Sequence, residues 1–191
     1  MPTVFFDVDT QNDFLLPAGA LYARGAEGIV AAVARLNRFA AANGIALIST
    51  TDAHAENDPE FRDWPAHCVA GTMGQLKPAE TLLERRVALP STPAPIELAQ
   101  QIVIEKQHLD CFTNANLPAL LERLSADRYV VYGVVTEVCV RMAAEGLLKT
   151  GKPVEIVTEA ICSLDERNGS SALAALAARG ALMTTVDRVA G

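Results

Sequence analysis

The chain has 191 residues, half of them hydrophobic and only 5% aromatic, which suits one α/β domain spanning 1–191 with a substantial core. Sixteen basic against twenty-three acidic residues leave a net charge of −7. That balance argues against nucleic acid or an anionic membrane surface as a partner, since both need a basic face. The chain starts MPTVFFDVD, with no basic segment and with acids inside the apolar run, so it does not read as a targeting signal. No apolar run approaches the ~20 residues of a membrane span. Cys68, Cys111, Cys139 and Cys162 are scattered, with no Cys-x-x-Cys pair. Free thiols in a reducing cytoplasm are the expectation.

In chain order, residues 3–9 (TVFFDVD) read as a strand. Residues 26–43 read as an amphipathic helix closed by Gly44, and 45–50 (IALIST) as a second strand. A long irregular stretch follows from Asp52 to about Pro95. It holds the single Trp and two of the three His, so it is expected to build a pocket wall. Residues 101–105 are a third strand, and Asn116 with Pro118 opens a helix through Leu124. Residues 129–135 are a fourth strand, 153–158 a fifth and 181–186 a sixth, with an Ala-rich helix at 168–179. This alternation predicts a three-layer α/β/α fold around a six-stranded, mainly parallel sheet.

Such sheets bind ligands beyond the carboxyl ends of their strands. Just past those ends lie Asp9, then Asp52 and His54, then Lys106, then Cys139. Thr136 is placed to cap the helix that follows the fourth strand, which puts Cys139 in its first turn. Free N–H groups and the positive helix end there favour a thiolate. The same N–H groups can hold an oxyanion. Taken alone, a Cys is more often a small buried apolar residue.

Three stretches carry a resemblance to the cysteine hydrolases of the isochorismatase-like superfamily, and within it to the nicotinamidases (pyrazinamidases). FFDVDTQNDFL (5–15) resembles the Asp-x-Gln-x-Asp-Phe segment, with Asp9 in the catalytic position. DAH (52–54) and WPAHCVAGTMG (64–74) resemble the metal and pocket segment. GVVTEVCVRMAAEG (133–146) resembles the nucleophile segment, and Lys106 stands where the family keeps its lysine. The resemblance implies that Cys139 attacks a carboxamide while Asp9 acts as base and then acid beside Lys106. It implies an oxyanion held by N–H groups at Val135 and Cys139, with a cis peptide at Val134–Val135. A divalent metal (Zn, Fe or Mn) on Asp52, His54 and His67 is implied, as is a pocket of Phe14, Trp64 and Val135. Conversion of nicotinamide to nicotinate, a place in NAD salvage and a homo-oligomer are implied as well. Alternatives left open are a hydrolase of another small amide (carbamoyl or ureido) and a non-catalytic small-molecule-binding relative.

Three departures stand out. AENDPEF (55–61) lacks a further His found in some nicotinamidases, so Glu56, Asp58 or water is expected to substitute. QHLDCFTN (107–114) differs from the Tyr-Ser-Ala-Phe pattern of relatives. Asp7 replaces an apolar residue. Strand alternation would put Asp7 and Asp9 on one face, about 7 Å apart, where Asp7 could raise the pKa of Asp9. The duller expectation is that hydroxyl or backbone donors tie Asp7 up.

Overall fold

Neighbouring residues of the central strands point to opposite faces, and both faces are apolar. A computed structural model describes residues 2–191. Its strands are β1 (Thr3–Val8), β2 (Ala46–Asp52), β3 (Arg86–Leu89), β4 (Gln101–Lys106), β5 (Arg128–Val134), β6 (Val154–Cys162) and β7 (Leu182–Thr184). They form one sheet in the order β3-β4-β2-β1-β5-β6-β7, and every pairing is parallel. The helices are α1 (Asn12–Leu15), α2 (Val30–Ala42), α3 (Leu117–Leu124), α4 (Arg141–Leu148), α5 (Glu166–Ala178) and α6 (Val186–Ala190).

Phe6, Ile48, Ile104 and Val131 pack on one face against Leu120 of α3, Ala143 and Leu147 of α4 and Leu176 of α5. Phe5, Leu47, Val130 and Tyr132 pack on the other against Val33, Leu36 and Ala40 of α2 and Val186 of α6. The Val33–Leu36–Ala40 spacing is that of one helix face, and Gly44, at φ 65°, turns the chain out of α2. This is the expected α/β/α architecture with seven strands in place of six. The added β3 has four residues between irregular segments, too few to show a period. Among the described residues no helix is long and apolar enough to cross a membrane.

β1 lies between β2, which leads on to β4, and β5, which starts the other half of the sheet. Strand order therefore reverses at β1, and the carboxyl ends of β2, β1 and β5 lie side by side there. Gly133 makes the β1–β5 approach close. Its φ is 120°, and a Cβ would overlap the Val8 backbone.

Two local expectations are corrected. Val135, not Thr136, is the cap position, with no side-chain cap bond. The Thr136 hydroxyl is buried without a partner. Cys139 then sits in a wide turn, Thr136–Val140, ahead of α4, and the Val140 N–H donates to the Val135 carbonyl five residues back. Asp7 and Asp9 do not share a face. Asp7 accepts from Ser49 whereas Asp9 accepts from Thr50, and these neighbours on β2 point to opposite sides. The strand ends at Val8 and Asp9 turns left-handed, with φ 47°.

Candidate active site

Four strand ends deliver their polar residues to one buried point. The fully buried Lys106 ammonium, from the end of β4, lies 2.5 Å from Asp52 Oδ1 and 2.9 Å from Asp9 Oδ2. It is also 3.8 Å from Cys139 Sγ. A carboxylate oxygen of Asp9, one of Asp52 and the Cys139 sulfur all lie within 4.8 Å of one another. Thr50 orients the acid by accepting the Asp9 N–H at 3.0 Å and donating its hydroxyl to Asp9 Oδ1 at 2.5 Å. Asp9 Oδ2 keeps its ion-pair distance to Lys106 without an aligned hydrogen bond, which leaves lone-pair capacity toward the thiol.

Burial opposes the charge on Lys106, but Asp52 and Asp9 outweigh it and hold its pKa well above the ordinary lysine value. Burial pushes the Asp52 carboxyl up to about 6 against the pull of Lys106. Cys139 is also driven well above the ordinary thiol value, by burial first. Lys106 pulls it down, while Asp9 and Asp52 push it up. Burial, with two carboxylates facing one ammonium, favours the thiol over the expected thiolate. A thiol reacts as a nucleophile when a base in contact with it takes its proton.

Asp52 also borders a second cluster. One ligand atom each from Asp52, His54 and His67 falls within 4.8 Å of the others. His54 is fully buried, and neither ring nitrogen has a hydrogen-bond partner. Burying an imidazole that way is costly unless something else satisfies it. Its Nδ1 lies 3.0 Å from Asp58 Oδ2, a carboxylate placed behind the ring as behind many metal-bound histidines. His67 Nδ1 lies 2.7 Å from the Pro65 carbonyl, so the hydrogen sits on Nδ1 and the Nε2 lone pair is free. Burial lowers the His67 pKa, partly opposed by that carbonyl. These donors fit a divalent metal with nitrogen and oxygen ligands.

The sequence reading missed Glu60. Its Oε1 lies 3.7 Å from His54 Nε2 and 3.9 Å from His67 Nε2, in the place expected for Glu56, Asp58 or water. Asp58 caps a short 3₁₀ turn, Pro59–Arg62, by accepting the Glu60 N–H, and that turn carries Glu60 inward. The Asp-Pro pair was its one visible signal. Glu56 is exposed.

Phe14, Trp64, Val135 and Cys139 line one cavity together with Leu21, Leu109, Val138, Leu164, Asp52, Glu60 and His67. The Val134–Val135 peptide is cis. The Phe14 and His67 rings stand 5.3 Å apart, and Phe61 packs on both histidines. The cavity measures about 20 Å³, room for about one water. A more open cavity of about 400 Å³ lies at Phe112, Met142 and Lys149, and Cys139 does not line it. His108 lines a wide outer cleft beside Trp64. Asp7, Cys68, Cys111 and Cys162 stand outside the cavity, and all four cysteines are free.

The family model described as "Isochorismatase domain" matches residues 3–188. The chain is similar in structure to the zinc complex of a pyrazinamidase from Pyrococcus horikoshii, at 27% identity, 97% coverage of this chain, 99% of that chain and a TM-score of 0.84. It is similar to a pyrazinamidase/nicotinamidase from Streptococcus mutans, at 25% identity, 95% and 99% coverage and a TM-score of 0.81. An N-carbamoylsarcosine amidase from Thermoplasma acidophilum shares the fold, at 24% identity, full coverage of both chains and a TM-score of 0.81. No curated protein matches the sequence.

Proposed function

The chain belongs to the isochorismatase family, and from that premise we propose that it is a cysteine amidase that converts nicotinamide to nicotinate and ammonia. One observation carries the reading: a single buried ammonium reaches the Asp9 carboxylate and the Cys139 sulfur together. Asp9 takes the thiol proton as the sulfur attacks the amide carbon, and Lys106 offsets the charge that develops on both. The carbonyl oxygen becomes an oxyanion facing the N–H groups of Val135 and Cys139. Asp9 then passes its proton to the departing nitrogen, ammonia leaves, and a thioester remains. Water, deprotonated by the same carboxylate, opens the thioester to the acid and restores the thiol.

Asp52, His54, His67 and Glu60 would hold a divalent metal. Bound there, it supplies a Lewis acid beside the apolar walls, suited to a ring nitrogen or its water. Phe14 and Trp64 offer aromatic faces to the substrate ring. The lining contains no arginine, and its nearest lysine is already paired with two carboxylates. That favours an uncharged aromatic amide over a carbamoyl compound carrying its own carboxylate. Ammonia release from nicotinamide, pyrazinamide and N-carbamoylsarcosine tests the reading. Preference for N-carbamoylsarcosine would sink the nicotinamide assignment, and full activity in Cys139→Ala would sink the amidase itself.

A further inference from the structure

A second lysine is buried beside β1 and never meets the cavity. Lys77 comes from the long loop, and its side chain is 3% exposed. Its ammonium lies 2.9 Å from Thr10 Oγ1 and 3.5 Å from Asp7 Oδ1. Thr10 donates its hydroxyl to Asp7 Oδ1 at 2.6 Å. The other oxygen of Asp7 accepts from Ser49 at 3.0 Å and from Asn37 at 3.3 Å, and Tyr132 donates to Asn37 Oδ1 at 2.6 Å. The cluster is buried, and each Asp7 oxygen and the Lys77 ammonium has a partner.

Stability is a poor explanation for such a pair, since apolar side chains of similar volume commonly serve as well or better. Its place in the chain suggests another role. Thr10 directly follows Asp9, whose left-handed backbone is unfavourable for a residue with a Cβ unless its surroundings impose it. The loop runs alongside that turn. Asn12 N–H donates to the Leu76 carbonyl and Asp13 N–H to the Gly74 carbonyl. The Gln11 amide bonds the Gln75 carbonyl and, through both its ends, the Asp52 backbone. Lys77 is the charged end of this brace, and Thr10 is where it grips.

We infer that Lys77, acting through Thr10 and Asp7, is a positioning residue that clamps the loop onto the turn and so aims Asp9 at the Cys139 thiol. The inference rests on the reading of Asp9 as the base. Displacing a base by about 1 Å costs up to about a hundredfold in rate, and substrate binding in the cavity need not change.

The test uses Thr10→Val, the double variant Asp7→Leu/Lys77→Met and, beside them, Asp9→Asn. Melting temperature, kcat and KM are measured with the amide that the starting protein hydrolyses fastest. Thr10→Val and the double variant should melt within a few degrees of the starting protein, lose at least about tenfold in kcat and keep KM within about twofold. An active Asp9→Asn enzyme would end the base reading and the inference with it. An inactive Asp9→Asn beside full kcat in Thr10→Val or in the double variant would overturn the inference alone. Failure of either to fold would assign the cluster to stability and overturn it too.

Discussion

Two buried lysine–aspartate clusters flank the end of β1, one on each side of the sheet, and they differ in completeness. Around Asp7, each carboxylate oxygen has donors aligned on it. Around Lys106, one ammonium serves two carboxylates and a thiol, and Asp9 Oδ2 lacks an aligned donor. The side chains of both are almost wholly buried. Chemistry is expected where partnering is incomplete, because a fully satisfied group has no lone pair or proton to lend. His54, whose Nε2 has no hydrogen-bond partner, belongs to the incomplete side.

The largest expected effect breaks the incomplete cluster at its nucleophile. Cys139→Ala should lower kcat by at least about a thousandfold and Asp9→Asn by a similar factor, since residues acting as a unit fail together. Ammonia release measures both. Next comes a paired test on stability. Lys106→Met strands two buried carboxylates and should cost about 3–5 kcal/mol. Lys77→Met leaves Asp7 with its three neutral donors and should cost about 1–3 kcal/mol. Denaturant unfolding compares them, and a larger loss for Lys77→Met would refute the contrast between the clusters.

Metal removal probes the histidines. A site loaded at a hundred times its dissociation constant adds about 2.7 kcal/mol to stability. Dialysis against chelator should therefore lower the melting temperature by several degrees, and Zn²⁺, Fe²⁺ or Mn²⁺ should restore it. In His54→Ala the shift should vanish. An identical shift in His54→Ala would place the metal elsewhere.

What could be read in the sequence followed the strands. Alternation and apolar runs located the ends of β1, β2, β4 and β5, and parallel topology puts such ends along one edge. Asp9, Asp52, Lys106 and Cys139 are thus grouped by the sequence alone. What escaped depended on backbone turns or on sums over distant groups. β3 is four residues long and shows no period. A left-handed φ at Asp9 breaks the period of two that seemed to join it to Asp7. Glu60 turns inward through a 3₁₀ turn. Lys77 carries no signal in the sequence, because its partners Asp7 and Thr10 lie about seventy positions upstream.

The state of the sulfur is the subtlest test of the incomplete cluster. A helix start beside a lysine suggests a thiolate, yet burial, Asp9 and Asp52 drive Cys139 above the ordinary thiol value. At neutral pH the sulfur is protonated, and its thiolate fraction grows about tenfold per pH unit until the raised pKa is reached. Alkylation of Cys139 by iodoacetamide, followed by mass spectrometry on chelator-treated protein, should keep rising through and beyond about pH 8.5, the ordinary thiol value. A plateau at or below pH 7 would mean that Lys106 and the turn outweigh both carboxylates. Asp9 would then have no proton to take at the first step, and the two clusters would differ in geometry but not in the chemistry assigned to that difference.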